Sequence, residues 1–208
     1  MKIAVFVSGG GTNLQAIIDN IKSGFLNGVE ISLVVSSSDK AYAITRANEN
    51  NIPSVVLSSK NFESRDAWDE AVLKAVNDSG AELIVLAGYL SLLGKKTVSA
   101  FSNRIINIHP ALIPSFCGAG MYGIRPHIAV LERGVKVSGA TVHFVNENYD
   151  EGPIILQKSV DVLWDDTPEV LQQRIMKECE QIILPKAIRM IADGEIEVVN
   201  NKVVLKTN

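Results

Sequence analysis

Two stretches of the chain combine residue types and spacing that could do chemistry. The first, Ser8-Gly9-Gly10-Gly11-Thr12-Asn13, follows an apolar run and opens a helical pattern. Backbone N–H groups exposed at such a junction, with the positive end of the helix dipole behind them, make an anion site. Glycine permits the tight turn and the close approach, and Thr12 and Asn13 add side-chain donors. Phosphate is the expected guest at Gly11, Thr12 and Asn13; a plain tight turn between strand and helix is the simpler alternative. A dinucleotide fingerprint would want a third glycine where Leu14 stands, and an acidic residue about 20 positions on. A P-loop would want Lys followed by Ser or Thr, which this loop lacks. A monophosphate therefore fits better than NAD or ATP.

The second stretch is Ile106-Asn107-Ile108-His109-Pro110. In a strand, alternation turns Asn107 and His109 to one face and Ile106 and Ile108 to the other, so an amide and an imidazole look into one space. They end a strand, and open α/β proteins place ligands beyond the carboxyl ends of their strands. Taken alone, the pair also suits a hydrogen-bonded structural histidine. Pro110, Pro114, Gly118, Gly120 and Gly123 then mark residues 110 to 125 as a long loop, read as an active-site flap.

The elements that must hold these groups follow from periodicity. Apolar runs of strand length at Ile3–Val7, Ile31–Val35, Ser54–Leu57, Leu83–Ala87 and Ile105–Ile108 alternate with helical stretches. Thr12 or Asn13 is expected to cap the helix that carries Leu14, Ile17, Ile18 and Ile21, with Gly24 ending it. Ser64 is expected to cap another, running to about Ser79. After the flap come a short helix ending near Gly134, strands Val137–Phe144 and Ile154–Val160 around the polar turn Asn146–Gly152, and a long helix from Thr167-Pro168 that Pro185 should kink or interrupt. Glu195–Val199 and Lys202–Leu205 form a closing hairpin around Asn200-Asn201. The fold class is α/β: an open, mostly parallel twisted sheet with helices on both faces, and antiparallel strands in its C-terminal part.

At 208 residues the chain can bury a large core without metal or disulfide staples. A net charge of −3 argues against a nucleic-acid binder, whose footprint is a basic patch, and leaves small ligands as partners. Cys117 and Cys179 have no neighbours at metal-ligand spacing and suit a reducing cytoplasm. The opening apolar stretch is too short for a signal peptide, and no window approaches the roughly 18 apolar residues of a membrane helix. A soluble cytoplasmic protein, monomer or homodimer, is expected.

Asn107-Ile-His109-Pro110-Ala-Leu-Ile-Pro114 resembles the N-I-H-P-S-L-L-P segment of the folate-dependent formyltransferases. Val142-His143-Phe144-Val145, with Asp150-Glu-Gly152-Pro153-Ile154, resembles their second signature, in the same order and spacing. Ser8–Gln15 narrows the resemblance to the phosphoribosylglycinamide formyltransferase branch, over Met1 to about Gly194. The resemblance implies a single formyltransferase domain over 1–208, with a phosphate-binding Rossmann-like half at 1–108. The flap, folate-side strands, long helix and hairpin would occupy 109–208. It also implies glycinamide ribonucleotide bound through its phosphate at Gly11, Thr12 and Asn13, and 10-formyltetrahydrofolate as formyl donor, without a metal.

In that reaction an amine attacks the formyl carbon, an oxyanion develops, and the folate nitrogen must be protonated as it leaves. Asn107 would hold the oxyanion, a charged His109 would stabilise it and donate the proton, and Asp150 would keep His109 charged. Without the resemblance, Asp150 would read as a turn residue before Gly152-Pro153. His143 fits a supporting place beside the site better than a catalytic one. His127, at the start of the helix after the flap, reads as a surface or cap-region histidine.

By the same resemblance Leu90, Ser91, Leu92 and Leu93, after Gly88, would hold the pterin, with Asn146, Glu147, Asn148, Tyr149 and Asp150 beside it; ordinary core packing is the alternative for part of the apolar segment. Arg65 matches an arginine that contacts the folate, or is a solvated helix-start residue. Lys177, Glu178, Cys179 and Glu180 match the stretch that contacts the ribonucleotide. Glu180 is foremost, since a carboxylate can accept both ribose hydroxyls or the glycinamide N–H, although on a helix it could equally be an exposed charge.

The flap departs from the family pattern. Phe116-Cys-Gly-Ala-Gly-Met-Tyr-Gly-Ile124-Arg125-Pro126-His127 is longer than the usual stretch, and Arg125 stands where a histidine is common. Two other readings compete. Formyltetrahydrofolate deformylase uses a similar residue set, but its usual extra amino-terminal domain is not expected before Met1. A non-catalytic phosphoribosyl- or nucleotide-binding module would not need Asn107, His109 and Asp150 together. Methionyl-tRNA formyltransferase is disfavoured by the acidic balance, and its carboxyl-terminal tRNA-binding domain is not expected here.

Overall fold

The computed structural model describes residues 1–148 and 150–206, and the chain divides into two compact units, Met1–Ile106 and Asn107–Asn208. In the first unit β1 (Lys2–Val7) pairs in parallel with β2 (Glu30–Ser36) on one side and β4 (Leu83–Leu86) on the other, and β3 (Ser54–Val56) flanks β2. Val5 stands opposite both Val34 and Val85. Ile3 to Val7 are wholly buried, which is why the strand reads as one apolar run rather than an alternation.

Three helices connect these strands, α1 (Thr12–Lys22), α2 (Tyr42–Glu49) and α3 (Arg65–Asp78), and a fourth, α4 (Lys95–Ala100), follows β4. Leu14, Ile17 and Ile18 form the buried stripe of α1, each worth about 1.5–3 kcal/mol on burial. Ser64 caps α3 as expected, its side chain accepting from the Ala67 N–H at 3.1 Å. The cap expected for α1 is different. Neither Thr12 nor Asn13 caps it; Gly11 occupies the cap position in the left-handed region (φ 69°) with no side-chain bond. A Cβ there would lie 2.7 Å from Ala43 Cβ, so the turn needs glycine for both its φ and its contact with α2. Asp69, buried on α3, caps α4 by accepting from the N–H groups of Lys96 (2.8 Å) and Thr97 (3.2 Å).

The strand β5 (Ile105–His109) carries the boundary between the units. In the second unit its end lies beside β6 (Val137–Phe144), which pairs antiparallel with β7 (Ile154–Asp161). The register slips between Val142 and His143, so Val142 faces Leu156 and His143 faces Ile154. This bulge re-aims the strand at a functional candidate, a common use of the irregularity. Helix α5 (Arg125–Arg133) ends at Gly134 in the left-handed region, and α6 (Pro168–Ile175) starts from Thr167, whose hydroxyl accepts from Val170 N–H.

The interruption expected at Pro185 lies elsewhere. A π-helical turn, Met176–Glu180, separates α6 from α7 (Gln181–Ala192), and α7 runs on through Pro185. Pro185 falls in the first turns of the new helix, where the register has just been reset, and the wide turn takes up the irregularity. The hairpin β8 (Ile196–Val199) and β9 (Lys202–Leu205) turns through Asn200 and Asn201, both at positive φ as a type I′ turn requires. The fold is the expected open, mostly parallel α/β class with antiparallel strands in the C-terminal part. Among the described residues no helix is long and apolar enough to cross a membrane.

Candidate active site

Asn107 and His109 share one face at the end of β5, and within the same second unit His143 and Asp150 lie beside them. Asn107 Nδ2 lies 3.2 Å from His143 Nε2. The Asp150 carboxylate stands between the two imidazoles, 3.8 Å from His109 Nδ1 through Oδ2 and 3.6 Å from His143 Nε2 through Oδ1. Both separations exceed hydrogen-bond length, and each becomes a contact between opposite charges only when the facing imidazole nitrogen is protonated. Asp150 has φ 53°, a left-handed backbone uncommon outside glycine, and its Oδ2 accepts from the Gly118 N–H at 2.8 Å. Such strain is held only where surroundings fix it, often at a site. Gly152 is part of that fixing, because a Cβ there would collide with the Phe144 carbonyl.

The hydrogen bonds assign protons. A carbonyl only accepts, so His143 donates from Nδ1 to Phe144 O (2.8 Å), which leaves Nε2 facing the Asn107 amide nitrogen. His109 likewise donates from Nε2 to Phe116 O at 2.9 Å, which turns its Nδ1 toward Asp150. Burial lowers the His109 pKa below its ordinary value; the Phe116 carbonyl and the Asp150 charge push it up but do not prevail, and His143 lowers it further. The expectation that Asp150 keeps His109 charged is therefore corrected. The attraction is there, yet the desolvation of a nearly enclosed imidazole is larger. Asp150 itself pays a burial cost that raises its pKa, but His143, the Gly118 amide and His109 outweigh it and hold the carboxyl below its usual range.

The flap is tied to this cluster through Phe116 and Gly118, as its position suggested. Thr141, on the same face of β6 as His143, anchors its start: the hydroxyl donates to Ala111 O (2.7 Å) and accepts from Ile113 N–H (3.1 Å). Alternation along β6 already carried that signal. His127 is a second correction. It is 0% exposed, not a surface or cap residue, and among the described residues neither ring nitrogen has a hydrogen-bond partner. Burial and the nearby His109 push its pKa down to about 4. Arg125 stacks on Tyr122, 4.7 Å from the ring centroid, and reaches Gly120 O at 3.4 Å.

In the first unit Gly9 and Gly10 are exposed between β1 and α1, Thr12 is half-buried, and Asn13 is buried. Arg65 is directed at the chain itself, donating from Nη2 to Leu92 O at 2.5 Å with its guanidinium 4.9 Å from the Trp68 ring centroid. Leu90 and Leu92 are 55% and 47% exposed, while Ser91 and Leu93 are half-buried. Leu90 and Leu92 thus stand at the surface and are not part of the buried core. Ser8 Oγ fixes the segment by accepting from Leu90 N–H at 2.9 Å.

The π turn contains the whole stretch Lys177 to Glu180. Its wider pitch turns Lys177 and Glu178 to solvent and buries Glu180. Cys179 is 0% exposed and its thiol pKa is pushed up by burial to about 11. Its side chain belongs to the core, so the expected ligand contact of Cys179 is corrected to a packing role. Asn146 makes a local turn by accepting from the Asn148 N–H at 3.0 Å, and Glu147 and Asn148 are exposed. Tyr149 lies outside the described residues. Among the described residues no group of three or more His, Cys, Asp or Glu could hold a metal ion.

Comparison with known proteins matches the formyl transferase family over residues 1–188. The chain is 45% identical to a chloroplastic phosphoribosylglycinamide formyltransferase of Arabidopsis thaliana over 85% of this chain and 61% of that protein. It is 38% identical to the phosphoribosylglycinamide formyltransferase of Haemophilus influenzae over 96% of this chain and 91% of that one. The chain thus spans less than two thirds of the plant relative and nearly all of the bacterial one. The crystal structure of glycinamide ribonucleotide transformylase 1 from Symbiobacterium toebii superposes with a TM-score of 0.93 at 40% identity, covering 100% of this chain and 94% of that one. By sequence match and by fold, the chain belongs to the formyl transferase family.

Proposed function

We propose that this chain is a phosphoribosylglycinamide formyltransferase. It transfers the formyl group of 10-formyltetrahydrofolate to the amine of 5'-phosphoribosylglycinamide, giving 5'-phosphoribosyl-N-formylglycinamide and tetrahydrofolate, a step of de novo purine biosynthesis. The observation that carries the reading is the Asp150 carboxylate set between His109 and His143, with the Asn107 amide against His143.

His109, its pKa lowered by burial, is neutral at pH 7 and can take the proton that the attacking amine releases. Asp150 then stabilises the imidazolium as it forms, and His109 returns the proton to the departing folate nitrogen. Proton count balances: the amine gives one up and the folate nitrogen gains one. The Asn107 amide N–H holds the oxyanion, its side chain steered by His143. The ribonucleotide phosphate is assigned to Gly11, Thr12 and Asn13, and its sugar and glycinamide to Lys177, Glu178 and Glu180. The pterin is assigned to Leu90–Leu93 and to the 146–150 turn, with Arg65 shaping that segment through Leu92. The partners are these two small molecules.

The test is to follow folate deformylation by absorbance with and without the ribonucleotide. Amine-dependent turnover supports the transferase. Turnover independent of the amine would instead identify a hydrolase, and binding without turnover a non-catalytic module.

A further inference from the structure

We infer that Arg46, on α2, is a positioning residue for the phosphate loop. It locks the glycine peptides so that their N–H groups face an incoming phosphate monoester, and so sets affinity for the ribonucleotide. This rests on the phosphate assignment above but concerns a residue outside the loop.

Three successive carbonyls of the loop are taken by donors. Gly9 O accepts from the Ala43 N–H (3.1 Å), Gly10 O from Arg46 Nε (2.8 Å), and Gly11 O from the Gln15 N–H (2.9 Å). In a planar trans peptide the carbonyl and the following N–H point in opposite directions. Fixing the oxygens of Gly9, Gly10 and Gly11 therefore turns each following N–H, those of Gly10, Gly11 and Thr12, away from the donor that its carbonyl meets. Successive N–H groups aimed to one side make a concave anion site.

Arg46 is built into this arrangement rather than resting on it. Its Nη1 donates to Gln15 Oε1 at 2.9 Å, and Gln15 Nε2 in turn reaches Asp19 Oδ1 at 2.9 Å. The guanidinium lies 5.1 Å from the Tyr42 ring centroid, and its Cδ is among the atoms that a Cβ on Gly11 would meet, at 3.3 Å. Its charge also sits beside the loop, which favours a dianion. A lysine would keep the charge but lose the rigid fork that holds Gly10 O and Gln15 together.

The experiment measures steady-state kinetics and direct binding of inorganic phosphate by calorimetry for wild type, Arg46→Lys, Arg46→Met and Gln15→Ala. One charge-assisted hydrogen bond lost predicts a KM for the ribonucleotide raised roughly tenfold in Arg46→Met, and by less in Arg46→Lys and Gln15→Ala. The KM for the formyl folate and kcat should stay within about twofold, and phosphate binding should weaken in parallel with the ribonucleotide KM. An unchanged ribonucleotide KM, or equal damage to both substrates, overturns the inference. Gln15→Ala, which loosens the guanidinium while leaving it in place, decides the matter where Arg46→Met does not fold. Wild type that binds phosphate but shows no amine-dependent turnover overturns the formyltransferase reading alone; variants that keep wild-type phosphate binding overturn this one alone.

Discussion

His109 Nδ1 faces Asp150 Oδ2 at 3.8 Å, and the same oxygen is held by the Gly118 amide of the flap at 2.8 Å. The flap thereby sets the distance over which the carboxylate can act on the imidazole. Asp150 raises the His109 pKa against the larger effect of burial, so its removal should lower that pKa further. Asp150→Asn is expected to cut kcat by at least about a hundredfold with little change in either KM. The acidic limb of the kcat/KM profile, where His109 gains its proton, should move to lower pH. An unmoved limb would take Asp150 out of the mechanism.

His127 gives a stability prediction whose sign is fixed by its direction of shift. Its folded-state pKa, about 4, lies below the ordinary 6.5, so the unfolded chain takes up a proton in this window and the folded chain does not. The associated stability is complete above about pH 6.5 and is lost as pH falls toward 4, a swing of about 3 kcal/mol. His127→Leu should remove that part of the acid slope and, by sparing two unpartnered buried nitrogens, raise stability at neutral pH. Urea unfolding at pH 7.0 and pH 4.5, values chosen to straddle roughly this window, measures both. A variant with the wild-type acid slope would show that His127 does not titrate as its surroundings dictate.

His127 also marks where the sequence stops being legible. The strands and α1 could be read from it because each buries a periodic apolar face, and periodicity survives in one dimension. Asn107, His109 and Asp150 could be named because their order matched a known pattern. What could not be read depends on the third dimension. The burial of His127 comes from how α5 packs, and the balance at His109 comes from competition between desolvation and a carboxylate 41 positions away in the chain. The core position of Cys179 comes from a π turn that leaves no residue signature. Gly11 took the cap expected of Thr12 or Asn13, and that position needs glycine because Ala43, far along the chain, leaves no room for a Cβ.

Thr141 ties the flap's first residues to β6, and Thr141→Val keeps its shape while deleting the hydroxyl. The Ile113 N–H and Ala111 carbonyl then lose a buried partner, as does Gln157 Nε2, 3.0 Å from the same oxygen. A loss of about 1–3 kcal/mol in denaturant unfolding is expected. Because the flap also carries Phe116 and Gly118, kcat should fall more than stability alone explains, measured at a temperature where the variant remains folded. Full activity in a destabilised variant would separate the flap's anchor from its chemistry.

The link between Asn107 and His143 makes the last prediction. His143 donates from Nδ1 to Phe144 O, and its Nε2 lies 3.2 Å from Asn107 Nδ2, an arrangement that holds the orientation in which Asn107 presents its amide nitrogen there. Asn107→Ala removes the proposed oxyanion donor and should lower kcat by roughly 10²–10³. His143→Phe leaves the donor but frees its rotation, and should cost less. If His143 works through Asn107, the double variant should be no slower than Asn107→Ala alone, a coupling visible in a double-mutant cycle. Additive losses would mean that His143 acts instead through the Asp150 carboxylate at 3.6 Å, and comparison with the Asp150→Asn background would then display the coupling there.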